Sequence, residues 1–362
     1  MPTTTPYIPE NITVHLGLPD ADAPNVTLPF REYIYNVASS EIYPTWDEAA
    51  LKANILAIMS YALNRVYTEY YPSRGYDFNI TSTTALDQKF IEGRNYFENV
   101  VRLTDELFGS YLRRSGFAEP LAASFCNGTT STCSGLSQWG SQELAQQGLS
   151  AFEILQRYYG NNIELVTDAP VQNLTASYPG TPLRQGSVGR DVVIIQASLN
   201  QIAQNYPAIP KIAPVDGIFG PQTERAVRSF QQIFQLTPDG IVGRSTWYKL
   251  VQLYVAVRQL NELTSRGQLV TEVAPVYAGL LSEGSSGNAV SILQTLLGIV
   301  AQYDSGIPPV TATGFFDSST RESVLAFQRT AGLPTTGIVG EATWNALYRR
   351  YQGIDVMELN TA

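Results

Sequence analysis

One carboxylate in this chain stands at a bend between two helical patterns, and it is the group best placed to move a proton. Phe30, Ile34, Val37 and Ala38 share one helical face that runs out at Ser40-Glu41-Ile42-Tyr43-Pro44, and a second helix starts a few residues later. Glu41 therefore sits at an elbow, the kind of place that forms the rim of a cleft. Ile42, Tyr43 and Trp46 flank it. Apolar surroundings disfavour the charged form of a carboxyl group, and a carboxyl group held partly protonated near neutrality can give and take a proton. The plain alternative is a solvated helix end before a proline. Asp87 and Asp105 are the other carboxylates that could join such chemistry, but nothing in the sequence brings them to Glu41. Cys126 and Cys133 are the two cysteines. Their spacing is not that of a zinc site, and the single histidine, His15, is far away in sequence. A disulfide closing a small loop is the first reading, free thiols the second and a metal the third.

The elements around these groups read as an α+β domain. Residues 12–16 and 25–29 alternate and carry β-branched side chains, so they predict a strand pair with its turn at Asp20–Pro24. After the elbow, Thr45 with Glu48 three residues on predicts a capping box. Leu51, Ile55, Ile58, Met59, Ala62 and Val66 then make a long apolar stripe to about Tyr67. A helix or strand is expected around Glu98–Phe108, and a strand over Pro120–Phe125 enters the cysteine loop. That loop runs into Leu136-Ser137-Gln138-Trp139-Gly140, followed by helices over residues 141–147 and 150–159, the latter with Ser150 and Glu153 as a second capping box. Residues 164–182 and 258–279 are rich in Pro, Thr and polar residues at least in part, and read as linkers.

The rest of the chain is one pattern written twice. Gly186, Gly189, Gln196, Asp216-Gly217, Phe219-Gly220, Thr223, Phe230-Gln231, Asp239-Gly240, Gly243 and Thr246-Trp247 are answered by Gly284, Gly287, Gln294, Thr313-Gly314, Phe316-Asp317, Thr320, Phe327-Gln328, Thr336-Gly337, Gly340 and Thr343-Trp344. A period this long means tandem domains rather than a solenoid. Val192, Ile195 and Leu199, then Thr223, Ala226, Val227 and Phe230, then Thr246 to Leu250, recur at helical spacing, so each copy predicts three short helices around an apolar core. Gly220 and Gly243 fall where helices begin, with Thr223 and Thr246 near the N-caps. The expected division is 1–163, linker 164–182, module 183–257, linker 258–279, module 280–352 and tail 353–362. The two all-α three-helix modules are expected to hang on flexible joints.

Both copies resemble the peptidoglycan-binding domain-1 family nearly end to end. The second departs from its pattern at Thr313 and Asp317, where Asp and Gly are usual. The resemblance implies non-catalytic attachment to bacterial cell wall. The N-terminal region resembles the stage II sporulation protein D family on Val26-Thr-Leu-Pro-Phe-Arg-Glu-Tyr33, Val37-Ala-Ser-Ser-Glu41-Ile-Tyr-Pro-Thr-Trp-Asp-Glu-Ala-Ala-Leu-Lys-Ala53, Gln88-x-Phe90-x-x-Gly93, Leu136-Ser-Gln-Trp-Gly140 and Glu153-Ile-Leu-x-x-Tyr-Tyr-Gly160. That family contains lytic transglycosylases acting on peptide-stripped glycan strands. The likeness puts the acid/base glutamate on Glu41 and the Ser-Gln motif on Ser137 and Gln138. It departs at residues 131–135, where the usual glycine-histidine run reads Ser-Thr-Cys-Ser-Gly, and at Asn54 and Met59, where Gln and Arg are common.

The resemblance implies that one glutamate protonates the leaving glycosidic oxygen and then takes a proton from the sugar's own C6 hydroxyl. No second carboxylate and no cofactor are then required. Ser137, Gln138 and Gln88 are the candidate polar contacts to substrate, with Tyr43 and Trp139 as stacking platforms. Helix capping for Ser137 and Gln138, and core packing for Trp139, are the competing readings. A non-catalytic wall or spore-coat protein, or an enhancer of a cell-wall amidase, are the competing functions. The net charge of −9 and the lack of a Lys/Arg block exclude nucleic acid as the expected partner. No apolar run of about 18 residues is present, so no membrane span is expected. The opening Met1-Pro-Thr-Thr-Thr lacks the features of a secretory signal. Cell-wall or spore-associated action outside the cytoplasmic membrane then implies a longer precursor, another export route or release from a cell.

Overall fold

A computed structural model describes residues 6–213, 215, 217–268 and 280–361. Its N-terminal domain contains β1 (Ile8–Pro9), β2 (Asn11–His15), β3 (Asn25–Pro29), α1 (Phe30–Glu41), α2 (Glu48–Tyr67), β4 (Ile80–Thr81), α3 (Glu98–Leu107), β5 (Tyr111–Arg114), β6 (Phe125–Cys126), β7 (Leu136–Ser137), α4 (Gln138–Gln146), α5 (Ala151–Tyr159), β8 (Ile163–Val166) and β9 (Val171–Gln172). The expected hairpin is there: β2 pairs antiparallel with β3, Ile12 opposite Leu28 and Val14 opposite Val26, and β4 adds in parallel beside β2. Ile12 and Val14 point into the core, while Thr13 on the opposite face bonds Thr27 through the hydroxyls at 2.9 Å.

The central element is α2. Apolar residues go most of the way round it, from Ala50 to Leu63, and a helix of that kind must be covered on several sides. Here α1, α3, α4, α5 and β5 cover it. Its N-cap is Asp47, whose carboxylate accepts from the Ala49 N–H at 3.2 Å, so the expected Thr45 cap is corrected by two residues. A carboxylate there also complements the positive end of the helix. α1 stops at Glu41 because Ile42 is extended and the following Tyr43 precedes Pro44, which disfavours helical backbone. Residues 120–124 are irregular rather than a strand, and only Phe125–Cys126 pairs, in parallel with Leu136–Ser137.

Two stretches read as linkers are tied down at one or both ends. β8 pairs antiparallel with β5, and β9 pairs with β1. Ser177 donates its N–H to Glu69 at 2.9 Å and accepts the Trp247 indole N–H at 2.8 Å, bridging the N-terminal domain to the first module. On the other side of that module the chain returns. Leu260 O accepts from Asn64 Nδ2 at 2.8 Å, Leu263 O from Arg114 at 3.1 Å, and the buried Glu119 carboxylate accepts from the Ser265 hydroxyl at 2.8 Å and the Gln268 N–H at 2.9 Å. Burial pushes the Glu119 carboxyl above its usual range, against the pull of those donors and of Arg258. Residues 259–268 are thus a strap rather than a loose joint. Asp216 and residues 269–279 lie outside the described residues.

The first module holds α6 (Arg190–Ala203), α7 (Pro221–Ile233) and α8 (Arg244–Arg258), and the second α9 (Asn288–Tyr303), α10 (Ser318–Thr330) and α11 (Glu341–Thr361). The last helix continues through the stretch expected as a tail. Gly220 and Gly243 are themselves the N-caps, and Thr223 and Thr246 stand three residues inside. The repeated glutamines explain the motif. Gln328 is buried, accepts the Thr336 and Gly337 N–H groups at 2.9 Å, and donates to Ile338 O at 2.9 Å and the Thr343 hydroxyl at 3.1 Å. Gln231 does the same for Gly240, Ile241 and Thr246, Gln196 for Gly217, Ile218 and Thr223, and Gln294 for Gly314, Phe315 and Thr320. One amide satisfies a turn and the first turn of the next helix inside an apolar core, where an unpaired backbone group costs about 1–3 kcal/mol. The turns need glycine: Gly217, Gly240, Gly314 and Gly337 have φ of 73°, 74°, 73° and 70°. Asp317, the departure in the second copy, adds a side-chain cap the first copy lacks. It accepts from the Thr320 N–H at 2.8 Å and hydroxyl at 2.7 Å, and from the Ser319 hydroxyl at 2.8 Å.

Two outcomes follow. Gln328→Leu strips two N–H groups, a carbonyl and a hydroxyl of partners. It should destabilise the second module by roughly 3 kcal/mol and speed amide exchange at Gly337 about a hundredfold; unchanged exchange would contradict the role. The Thr320 N–H and the neighbouring hydroxyls hold the Asp317 carboxyl down at about 2. A depressed folded-state value stabilises above the unfolded-state value of about 3.9 and loses that stabilisation as pH falls through the folded one. Wild type should therefore melt higher than Asp317→Ala above pH 4, with the gap closing towards pH 2. A gap independent of pH would contradict the cap.

Candidate active site

Three segments distant in sequence converge on the end of α1. Glu41 is its last residue and is half-buried. One carboxylate oxygen accepts the Lys89 backbone N–H at 2.8 Å, and the other lies 3.4 Å from the Gln138 side-chain amide nitrogen, which donates to it. Lys89 belongs to the connection between β4 and α3, and Gln138 opens α4. The structure therefore brings Gln138 to Glu41, a meeting that their separation in sequence does not reveal.

Gln138 is held in place by its own helix. Ser137 is the N-cap, its hydroxyl accepting the Gly140 N–H at 3.0 Å. The Ser141 hydroxyl donates to Gln138 O at 2.6 Å and accepts from Asn54 at 2.8 Å; Asn54 in turn donates to Ala50 O at 2.8 Å. That chain of bonds fastens the first turn of α4 to α2. Asp47 adds a second fastening, donating its N–H to Gln142 at 2.8 Å. Gln138 is only 3% exposed, so its amide has little freedom to turn away from Glu41.

Beside the carboxylate lies an aromatic cluster. Tyr43 and Trp46 have ring centroids 5.6 Å apart, Tyr43 and Trp139 5.6 Å, and Trp46 and Trp139 5.1 Å in an edge-on arrangement. Such pairs add about 0.5–1.5 kcal/mol each beyond burial. Trp46 and Trp139 are half-buried and Tyr43 is 56% exposed, so the cluster is anchored at its base and open at its tip. Trp46 is a full third member of the cluster, where the sequence alone marks it only as a flank of Glu41.

The cysteine loop braces the other side of this turn. Cys126 and Cys133 form a disulfide. Between them, Asn127 accepts the Trp139 N–H on its carbonyl at 3.2 Å and the Thr129 and Thr130 N–H groups on its side chain at 3.1 Å. Three glycines pack so closely here that an added Cβ would displace a neighbour; one on Gly135 would sit 1.9 Å from the Ser124 carbonyl oxygen. A Cβ on Gly128 would sit 1.9 Å from the Ser137 hydroxyl oxygen, and one on Gly140 would sit 2.1 Å from the Tyr158 hydroxyl oxygen.

The other candidates lie elsewhere. Gln88 is fully buried; it accepts the Tyr33 hydroxyl at 2.9 Å and donates to Ile58 O at 3.1 Å, so its side chain braces the core while the next residue reaches Glu41. Burial first, and then the charge of Asp87, push the Tyr33 hydroxyl well above its usual range, which keeps it a donor to Gln88. Asp87 has no side-chain exposure. It pairs with Arg65 at 2.8 Å and accepts from Tyr71 at 2.5 Å and from the Thr81 N–H and hydroxyl at 3.0 and 2.7 Å. Asp105 is shared by Arg31 at 2.7 Å and Tyr35 at 2.5 Å, and burial and this carboxylate raise the Tyr35 hydroxyl to about 12. His15 bonds Asn25 and Leu18 O at 2.8 and 2.9 Å and stacks on Phe78. Among the described residues no cluster of three His, Cys, Asp or Glu side chains is placed to hold a metal ion. The Lys89 contact could not be found from residue types, since its donor is backbone.

The family model for the stage II sporulation protein matches residues 24–106, and the model for a peptidoglycan binding domain matches residues 188–250 and 286–347. The chain joins a stage II sporulation protein domain to two peptidoglycan-binding modules. The matched part of the sporulation-protein domain contains Glu41, Tyr43, Trp46 and Gln88; the Ser137–Trp139 turn lies beyond it. Over 172 residues the chain is 30% identical to an N-acetylmuramoyl-L-alanine amidase of Bacillus licheniformis, covering 47% of this chain and 45% of that one. It is 33% identical over 131 residues to N-acetylmuramoyl-L-alanine amidase CwlM of Mycobacterium tuberculosis, 36% of this chain and 27% of the other. It is 36% identical over 78 residues to a spore cortex-lytic enzyme of Oceanobacillus iheyensis, 22% and 26%. The chain spans less than half the length of each of these relatives. No helix among the described residues is long and apolar enough to cross a membrane.

The tight approach at Gly140 gives a test of the turn in the sporulation-protein domain. Gly140→Ala should cost about 1–3 kcal/mol in stability. Adding Tyr158→Phe, which removes the clashing hydroxyl, should recover part of that loss in a double-mutant cycle. Strict additivity of the two substitutions would show that the turn is not set by this contact.

Proposed function

We propose that this chain is a wall-attached lytic transglycosylase. It would cleave the β-1,4 bond between N-acetylmuramic acid and N-acetylglucosamine, with Glu41 as acid and then base. The observation that carries this reading is the setting of Glu41: a carboxylate held by two N–H donors beside an aromatic cluster, while Asp87 and Asp105, the two other candidate carboxylates, are engaged by their own partners. A hydrolase of the usual kind needs a second carboxyl group about 5–9.5 Å away to activate water or to attack. A transglycosylase does not. The Glu41 carboxyl gives its proton to the leaving O4 of N-acetylglucosamine as the C1–O4 bond breaks. The muramic acid C6 hydroxyl then attacks C1 and loses its proton to the Glu41 carboxylate. The product is a 1,6-anhydro ring; no water is consumed and the acid is restored.

The rest of the site suits that reading. The Gln138 amide steadies the carboxylate and lies where a sugar N-acetyl group could bond it. Tyr43 and Trp139 offer ring faces to an apolar sugar face. The Lys89 N–H and the buried Gln138 fix the carboxylate direction before substrate arrives, the positioning contribution to catalysis. The two modules would tether the enzyme to glycan, raising its effective concentration on one polymer. Relatives named as amidases and as a spore cortex-lytic enzyme support wall or spore as the place of action.

Incubation of the purified protein with peptide-free glycan should generate 1,6-anhydro-muramyl ends detectable by mass spectrometry. Glu41→Gln should lower their rate by at least a thousandfold while leaving sedimentation with cell walls unchanged. If wild type makes no such ends, the protein acts as a wall-binding factor, and stimulation of an added amidase is the next measurement.

A further inference from the structure

The two modules share their buried glutamines but differ where the second helix of each meets the third. In the first module Phe234 fills that corner. Its ring centroid lies 4.9 Å from those of Tyr206 and Phe230, and the Lys249 Nζ lies 5.9 Å from it. Leu253 packs against the same core. The repeat places Asp304, Ala331, Ala346 and Arg350 of the second module where the first has Tyr206, Phe234, Lys249 and Leu253, and Arg349 where it has Gln252. The structure holds to this register: the Ile307 N–H bonds Asp304 O as the Ile209 N–H bonds Tyr206 O, both at 3.0 Å.

Without the phenyl ring the corner is a hollow. Thr330 and Ala331 from the end of α10, with Ala346, Arg349 and Arg350 from α11, line about 340 Å³ above the buried Phe327 ring, a size that suits a small molecule. The aromatic pair of the first module has given way to an ion pair: Arg350 meets the half-buried Asp304 at 3.2 Å. Arg349 is exposed and donates its Nε to Asn345 O at 3.2 Å. Among the described residues it meets no carboxylate, so its terminal N–H groups are open to a ligand. In a chain of net charge −9, two adjacent arginines over a small apolar floor suit a compact anion. The first module has neither the space nor the arginines, so the feature does not belong to the motif the two copies share.

We propose that this hollow is a ligand site of the second module alone, and that it takes the free C-terminal carboxylate of a short peptide ending in alanine. The Arg349 guanidinium pairs with the carboxylate oxygens, and Arg350 adds its charge while held by Asp304. The alanine methyl group lies against Ala331, Ala346 and the edge of Phe327, in the space that Phe234 fills in the first module. A peptide joined to another through that carboxyl is an amide there and offers Arg349 no charge, so the second module distinguishes free peptide ends from joined ones. The proposal does not depend on the role of Glu41.

The test follows the Ala331 and Ala346 methyl signals by NMR in the full chain, with alanine methyl groups labelled, so that binding elsewhere on the protein does not enter the readout. Three probes are titrated: N-acetyl-D-alanyl-D-alanine, its C-terminal amide, and N-acetylmuramic acid, whose lactyl group also carries a carboxylate beside a methyl. The free peptide should shift both signals with a Kd of about 1 mM, and the amide should bind at least tenfold more weakly. The difference should shrink as salt rises. Arg349→Gln, which installs the residue found at 252, should weaken the free peptide about tenfold and leave the amide as it was. Ala331→Phe, which installs the residue found at 234, should abolish the Ala346 shift with both peptides. Amide exchange at Gly337 like that of the parent shows that each variant keeps its fold, and the exposed Arg349 can be replaced without touching the core. Equal shifts with acid and amide, or a preference that survives Arg349→Gln, overturn the site. Tighter binding of N-acetylmuramic acid than of the peptide overturns the assignment to peptide ends.

Discussion

Two hydrogen bonds from distant parts of the chain fix the direction of one carboxylate at the end of α1. Glu41 ends a helix, where side chains ordinarily swing free. Two donors remove that freedom: the Lys89 N–H, 48 residues away in sequence, and the Gln138 amide, 97 residues away. Each donor is itself fixed. Lys89 follows Gln88, which is locked between Tyr33 and Ile58, and Gln138 opens a helix fastened through Ser141 and Asn54 to the buried α2. The core thus reaches the surface at a single acidic group through two short chains of satisfied hydrogen bonds. Such networks are rigid when complete and costly when broken.

The modules solve a different problem with the same kind of group. A three-helix unit of this size has little core, and every turn between helices exposes backbone polar groups at its edge. One buried glutamine per turn satisfies them, four times over. The first module is fastened to the sporulation-protein domain by Ser177 on one side and by the 259–268 strap on the other. The module is therefore held at a set orientation to that domain rather than on a free tether.

Much of this was legible in the residues. The strand pair, the amphipathic run of α1, the long α2 and the module helices follow from periodicity, and the elbow at Glu41 from the proline that ends α1. What was not legible was anything carried by backbone or by pairing across distance. The Thr45 cap lost to Asp47, because either side chain has the local chemistry and only the path of the chain decides. The pairs β5–β8 and β1–β9 draw residues 163–166 and 171–172 back onto the domain, and strands so short leave little alternation to read. Gln88 resembled a substrate contact by motif, yet the core took it. Trp46 looked like part of a helix start until the fold set it edge-on to Trp139.

Cleavage of glycan at the Glu41 carboxylate, as proposed, requires substrate bound at the end of α1. A crystal structure of the full chain carrying Glu41→Gln, with a peptide-free glycan oligosaccharide bound, tests it most directly. The expected result is a glycosidic oxygen within about 3 Å of the residue 41 side chain, an N-acetyl group on Gln138 and a sugar ring against Tyr43 or Trp139. Sugar bound only on the two modules, with the elbow empty at saturating ligand, would contradict it.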